Sequence, residues 1–205
     1  MSRETILALL IGYGLGSIPF GLLLTWAAGK GDVRTIGSGN IGATNVLRTG
    51  SKPLAAATLI LDCLKGTAAV LLTHALFERD LIALGPAALA AAAGAMIGHL
   101  YPIWLKFRGG KGAATFLGIL IPLLPAAAAI YAAIWLILLV TIRISSVAGM
   151  TAAVSAPISA AVLDRSLLPM LLGFALLVLW KHRENILRLR KGTEPRIGSK
   201  TSSTA

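Results

Sequence analysis

At 205 residues the chain has the length of one soluble domain, yet 56% of it is hydrophobic and only 13% charged. Soluble globules carry about a quarter charged residues, so this chain cannot dress a water-facing surface and must turn most of its exterior to lipid. The formal charge of +11 would suggest nucleic acid in a soluble domain; here it marks basic cytoplasmic loops attracted to anionic headgroups, and no nucleic-acid partner is expected.

A span needs about 20 apolar residues to cross the hydrocarbon layer. Residues 5–28 form the first. They exceed a signal-peptide core and run into polar sequence without a small-residue cleavage site, so they read as a retained span. Spans over 54–77 and 82–105 follow. The block from Ala113 to Ile142 is too long for one crossing and is broken by Pro122 and Pro125. Two shorter segments, 147–163 and 167–180, flank Asp164-Arg165. The stretches are rich in small residues, which suits close helix packing in lipid. No strand alternation appears, which excludes a β-barrel. The expected class is therefore an all-α integral membrane protein, a polytopic helical bundle. One domain is expected over 1–198, with a polar, disordered tail at 199–205.

Basic residues orient the bundle. Lys30, Arg34, Arg48 and Lys52 cluster after the first span, and Lys106, Arg108 and Lys111 after the third; a third basic run begins at Lys181. The turn at 78–80 holds only Arg79, beside Glu78 and Asp80. The basic segments belong on the cytoplasmic side, with the N-terminus outside and the C-terminus inside. That parity requires an odd number of crossings: seven if 113–142 divides near Pro125, five if 147–180 inserts as one crossing or none. Every unusual polar segment then lies on one face.

The first polar segment runs from Gly37 to Arg48. Glycines at 37, 39 and 42 let the backbone turn tightly and approach a ligand. Ser38, Asn40, Thr44 and Asn45 add short neutral donors, and Arg48 adds a planar fork suited to phosphate. A glycine-rich turn leading into a capped helix explains the segment equally well. The second segment, Gly98 to Gly112, ends in Gly109-Gly110-Lys111-Gly112. Flexible amide donors around one ammonium look like a phosphate loop. It is not a Walker A loop: position 105 is leucine, and Gly112 stands where a magnesium-binding hydroxyl would be, which disfavours a nucleotide triphosphatase. Tyr101 and Trp104 read as interfacial belt aromatics. In the third segment, Trp180 to Arg196, helical spacing puts His182 and Asn185 on one face, while Glu184 and Arg188 make a structural i,i+4 pair. Arg188, Arg190 and Lys191 read as an anchor.

Asp62 and Lys65 lie inside the second span, three residues apart. They either neutralise each other or leave Lys65 to reach a phosphate. His74 and His99 read as satisfied interior or interfacial groups. With one cysteine, Cys63, neither a disulfide framework nor a metal site is expected.

In this order, SGNIGATNVLR at 38–48, DCLKG at 62–66, GHLYPIWLKFRGGKG at 98–112 and HRENILRLRKGTE at 182–194 resemble the motifs of the bacterial acyl-phosphate:glycerol-3-phosphate acyltransferases, the PlsY family, over nearly the whole chain. The resemblance implies the first step of bacterial phospholipid synthesis at the inner membrane, with motifs on the cytoplasmic side. An acyl group passes from acyl phosphate to the 1-hydroxyl of glycerol 3-phosphate, giving lysophosphatidate and inorganic phosphate without a cofactor. Carried over by position, it implies catalytic roles for Ser38, Lys111, His182 and Asn185. Substrate phosphate binding falls to Asn40, Asn45, Arg48, Lys65, Gly109, Gly110, Gly112, Ser146 and Arg183. Asp62 and Glu184 would be structural. A monomer in contact with membrane lipid is compatible with this reading. Acyl phosphate brings its own leaving group, so direct transfer without an acyl-enzyme is expected. The rivals are a small transporter for phosphate-bearing solutes, which lacks support from any inverted repeat, and a lipid-gripping structural protein, which leaves Ser38-Gly39-Asn40 unexplained.

Overall fold

Ten α-helices, joined by 3-10 turns, make up the regular structure in the computed structural model, which describes residues 1–78 and 84–198. They are α1 (Arg3–Gly16), α2 (Phe20–Ala27), α3 (Ala43–Val46), α4 (Lys52–Phe77), α5 (Pro86–Leu100), α6 (Ala113–Leu123), α7 (Pro125–Thr141), α8 (Ser145–Leu163), α9 (Leu168–Lys181) and α10 (Arg183–Arg190). Arg79 and Asp80 of the expected outer turn, and the tail at 199–205, lie outside the described residues.

Among the described residues, four segments are long and apolar enough to cross a membrane: Arg3–Ala27, Lys52–Phe77, Pro86–Leu105 and Ser145–Leu163. Arg165–Lys181 with Arg183–Arg190, bent by 57°, adds a fifth if taken as one span. The block at 113–142 divides before Pro125, as its prolines suggest, into apolar helices of 11 and 17 residues. Both are shorter than every one of those spans.

Two compact units divide within α7, one running from Met1 to Ala128 and the other starting at Ala129. In the first, α1 packs on α5 and α4 packs on α6. Added methyl groups at Gly12 and Gly16 would strike the backbone of Ala91 and Ala95, and at Gly94 and Gly98 the carbonyls of Leu9 and Tyr13. Both pairs are spaced four apart, so two glycine stripes meet backbone to backbone, whereas Gly14, off the stripe, faces open space. Ala88, Ala91, Ala92 and Ala95 are buried, while Leu10, Ile60, Leu64 and Leu76 face outward. That distribution suits a lipid solvent: apolar bulk gains nothing by leaving it, and small residues gain dispersion and packing by meeting each other. In the second unit α8 packs on α9.

The first span breaks at Ser17-Ile18-Pro19, where proline removes a helical N–H. Two side chains from distant segments satisfy the exposed carbonyls. The Trp104 indole donates to Ser17 O at 2.9 Å, and Lys65 Nζ donates to Ile18 O at 2.8 Å. Lys65 also lies 2.7 Å from Asp62 Oδ1, with both side chains buried. An unpaired charge there would be costly, and the pair offsets it. At the other end of α4, Glu78 accepts from the amides of Gly85, Ala87 and Ala88 at 2.8, 2.8 and 3.1 Å. It also meets His74 Nδ1 at 2.5 Å. Burial raises the Glu78 carboxyl, but His74 and the three amides outweigh it and hold it below its ordinary value.

Candidate active site

The first polar segment is organised by one buried side chain. Asn45, 2% exposed, sits in α3. Its Nδ2 reaches the carbonyls of Val33, Ile36 and Asn40 at 2.7, 3.1 and 2.8 Å. Its Oδ1 accepts from the Ser38 amide at 3.0 Å and from Arg48 Nη1 at 3.1 Å. One amide thus closes the loop and orients the guanidinium, while Ser38 and Arg48 themselves stay exposed. Asn40 Oδ1 accepts from the Gly42 amide at 2.9 Å, a local turn. Gly37 has φ +55°, and a methyl group there would collide with Arg48 and Asn45. Glycine is required at that position both for the backbone angle and for the guanidinium's path.

The second segment folds back on the end of α5. The Gly109 and Gly110 amides donate to Leu100 O and His99 O at 3.2 and 2.9 Å, satisfying carbonyls that the helix end leaves open. Both amides, expected to face phosphate, are therefore used inside the fold. Gly112, at φ +93°, turns the chain into α6 and is buried; Lys111 beside it is half-buried. Tyr13 fastens the loop from α1: its hydroxyl donates to Tyr101 O at 2.9 Å and accepts from the Ile103 amide at 3.0 Å. Trp104 remains half-exposed, as a belt residue would be, while its N–H holds the α1–α2 break. Leu105 packs on the buried cluster of Leu22, Val33, Ile41 and Val46, which also floors the first loop. The first two segments thus share an apolar base.

In the second unit, Glu194 gathers the third segment. Its Oε1 accepts from Ser146 Oγ at 2.7 Å and Asn185 Nδ2 at 2.5 Å, and its Oε2 accepts from Arg188 Nε at 2.7 Å. Its side chain is 6% exposed. Burial raises the carboxyl, but the three hydrogen bonds and the Arg188 charge prevail and depress it. A second tie runs between Arg143 and Ile197: the Ile197 amide donates to Arg143 O at 2.7 Å and Arg143 Nη2 to Ile197 O at 2.8 Å. His182 is buried at the bend between α9 and α10. Its Nδ1 lies 2.8 Å from Val178 O; a carbonyl only accepts, so Nδ1 carries the hydrogen.

The expected i,i+4 pair gives way to a longer-range one. Arg188 does not pair with Glu184 but with Glu194, because the chain after Lys191 folds back and brings a carboxylate closer than the i,i+4 neighbour. Glu184 stays exposed, 4.0 Å from Arg183. Arg183 is exposed as well and stacks on Trp180, 5.3 Å from the ring centroid. Within the units, the structure brings together Ser38, Asn40, Asn45 and Arg48, and separately Ser146 and Asn185. Sequence reasoning missed Glu194 and Tyr13. An acid in a basic tail and a tyrosine in an apolar helix were the available signals, and neither announces a partner. Among the described residues, no group of three or more His, Cys, Asp or Glu could hold a metal ion.

Residues 6–192 match the family model described as glycerol-3-phosphate acyltransferase. A glycerol-3-phosphate acyltransferase of Mesorhizobium japonicum is 55% identical over 98% of this chain and all of its own length. One of Methylorubrum populi is 54% identical over 95% of this chain and 94% of its own. Among solved structures, PlsY, an integral membrane glycerol 3-phosphate acyltransferase in its glycerol 3-phosphate form, superposes with a TM-score of 0.85 at 35% identity, covering 95% of this chain and 96% of that one. Its lysophosphatidic acid form gives 0.82 at 34% identity, covering 95% of each chain.

Proposed function

This chain belongs to the glycerol-3-phosphate acyltransferase family, a membrane acyltransferase acting on glycerol 3-phosphate, and from that premise we propose that its acyl donor is an acyl phosphate and that transfer is direct. The 1-hydroxyl attacks the donor carbonyl, the new ester C–O bond forms, and the carbonyl-to-phosphate C–O bond breaks. The hydroxyl proton leaves with the departing phosphate, giving lysophosphatidate and inorganic phosphate. A mixed anhydride already carries a good leaving group, so the protein supplies position and charge stabilisation rather than a nucleophile. The His-x-x-x-x-Asp pattern of coenzyme A-linked glycerolipid acyltransferases is absent: residues 79, 104 and 187 are Arg, Trp and Leu.

The observation that carries the reading is the exposed Arg48 guanidinium, aimed by a buried amide that also holds the Ser38 backbone. That is a preorganised fork for a phosphate. Lys111, Ser38, Asn40, Gly112, Ser146, Arg183, His182 and Asn185 complete the proposed site. Asn45, Gly109 and Gly110 act by shaping the loops, and Lys65 with Asp62 as scaffold, because their polar groups already have internal partners. His182 holds phosphate or carbonyl rather than taking the proton: a backbone carbonyl orients its ring, and a carbonyl supports an imidazolium less than a carboxylate does. The site lies on the cytoplasmic face of a bacterial inner membrane, in one catalytic domain over 1–198 with seven crossings, the N-terminus outside and the C-terminus inside.

The test uses purified protein in detergent with acyl phosphate and labelled glycerol 3-phosphate. Lysophosphatidate is expected from acyl phosphate and not from acyl-coenzyme A, and no acyl group remains on Ser38 after incubation with donor alone. An acylated serine would refute direct transfer.

A further inference from the structure

His99 has no part in the chemistry proposed above, yet it is buried at the end of α5 and three separate features meet on it. Its carbonyl accepts the Gly110 amide. Its ring occupies the space beside Gly110: a methyl group on that glycine would coincide with the Nε2 edge, 2.5 Å from Cε1 and 3.0 Å from Cδ2, and would approach no other residue as closely. Its Nδ1 faces Asp62 Oδ1 at 3.8 Å, and that carboxylate is held by Lys65, which grips the break in the first span. A line of buried polar groups therefore runs from Ile18 through Lys65 and Asp62 to the imidazole, and the backbone just before Lys111 lies against the ring's far edge.

We infer that His99 is a positioning residue for the glycine loop. Its ring, whose Nδ1 faces the buried Asp62–Lys65 pair, is the seat that fixes Gly110 and hence the direction in which Lys111 is presented. This rests on the acyltransferase reading above. Gly109 provides an internal control. A methyl group there would meet the His99 carbonyl, the Leu100 carbonyl and Pro102 Cδ, not the ring. Neither glycine has a positive φ, so alanine at either position is opposed by contact rather than by backbone angle.

The test is a pair of double-mutant cycles. His99→Asn keeps a donor where Nδ1 faces Asp62 and removes the Nε2–Cε1 edge. Gly110→Ala alone raises KM for glycerol 3-phosphate with kcat changed less. Adding His99→Asn recovers about tenfold of that loss relative to the product of the single effects, a coupling typical of touching residues. The same addition recovers nothing for Gly109→Ala. His99→Phe, which keeps a ring edge but loses Nδ1, does not relieve Gly110→Ala. Equal recovery at both glycines, or at neither, overturns the inference. Should His99→Asn fail to fold in detergent, His99→Ala carries the same cycles. Wild-type turnover reports separately on the acyltransferase reading, since an inactive wild type fails that reading before any variant is compared.

Discussion

Asn45 and Glu194 do the same job in the two units with opposite chemistry. Each is a buried side chain that gathers several polar partners and holds a basic residue. Asn45 is neutral, has both donors and acceptors, and ties backbone to backbone, so Arg48 receives only one neutral bond from it. Glu194 is an acceptor alone and collects Ser146, Asn185 and Arg188 with its charge. A neutral hub shapes a loop and leaves its cation's charge uncompensated for an anionic ligand. A charged hub stabilises more strongly but neutralises its cation and becomes sensitive to acid. In this chain, the neutral solution stands beside the exposed guanidinium and the charged one within the C-terminal strap, residues 191–198.

The contrast is broken most directly at Glu194. Glu194→Ala leaves three buried or half-buried donors without their acceptor and is expected to cost about 3 kcal/mol or more. A clear drop in thermal midpoint together with loss of turnover is the expected result; an unshifted midpoint would mean that the strap does not depend on its charge. Next in size, Arg48→Ala and Lys111→Ala each remove charge-assisted contacts worth about 1.5–3 kcal/mol to a bound phosphate. Each should lower kcat/KM by roughly ten- to a hundredfold with the midpoint little changed. Asn45→Ala should follow with a smaller kinetic loss, because it misaims Arg48 without deleting it, and with about 1–2 kcal/mol of stability. If Asn45 acts through Arg48, the double variant is no worse than Arg48→Ala; additive losses would separate the two.

Acid sharpens the comparison further. Glu194 titrates below its ordinary value in the folded chain. Its contribution is present in full above the unfolded carboxyl's pKa of about 4.3 and drains away as pH falls through the folded value. Asn45 has nothing to protonate. Hydrogen exchange at acid pH should therefore show amides of the 191–198 segment opening before those at 38–48, and simultaneous opening would contradict the assignment. Smallest of all, Glu184→Gln should change neither midpoint nor turnover beyond about 0.5 kcal/mol, since an exposed ion pair contributes little. A large effect would restore the structural role that its spacing suggested.

Much of this protein is written locally. Low charge, long apolar runs, the break before Pro125 and the glycine-basic segments follow from composition and short-range periodicity, which need no knowledge of what lies across the bundle. The sequence also brought Ser38 and Arg48 into one motif, and it offered two alternatives for Lys65, one of which its contact with Asp62 satisfies. Tertiary structure decided which groups are used up. Ser146 meets Glu194 across 48 residues, Trp104 reaches Ser17 across 87, and the amides of Gly109 and Gly110 turn to the end of α5 instead of outward. A residue type states what a polar group can bond. Only the packed chain brings a particular partner within the roughly 3 Å at which a hydrogen bond forms, and that distance separates a side chain that meets a ligand from one that holds the fold.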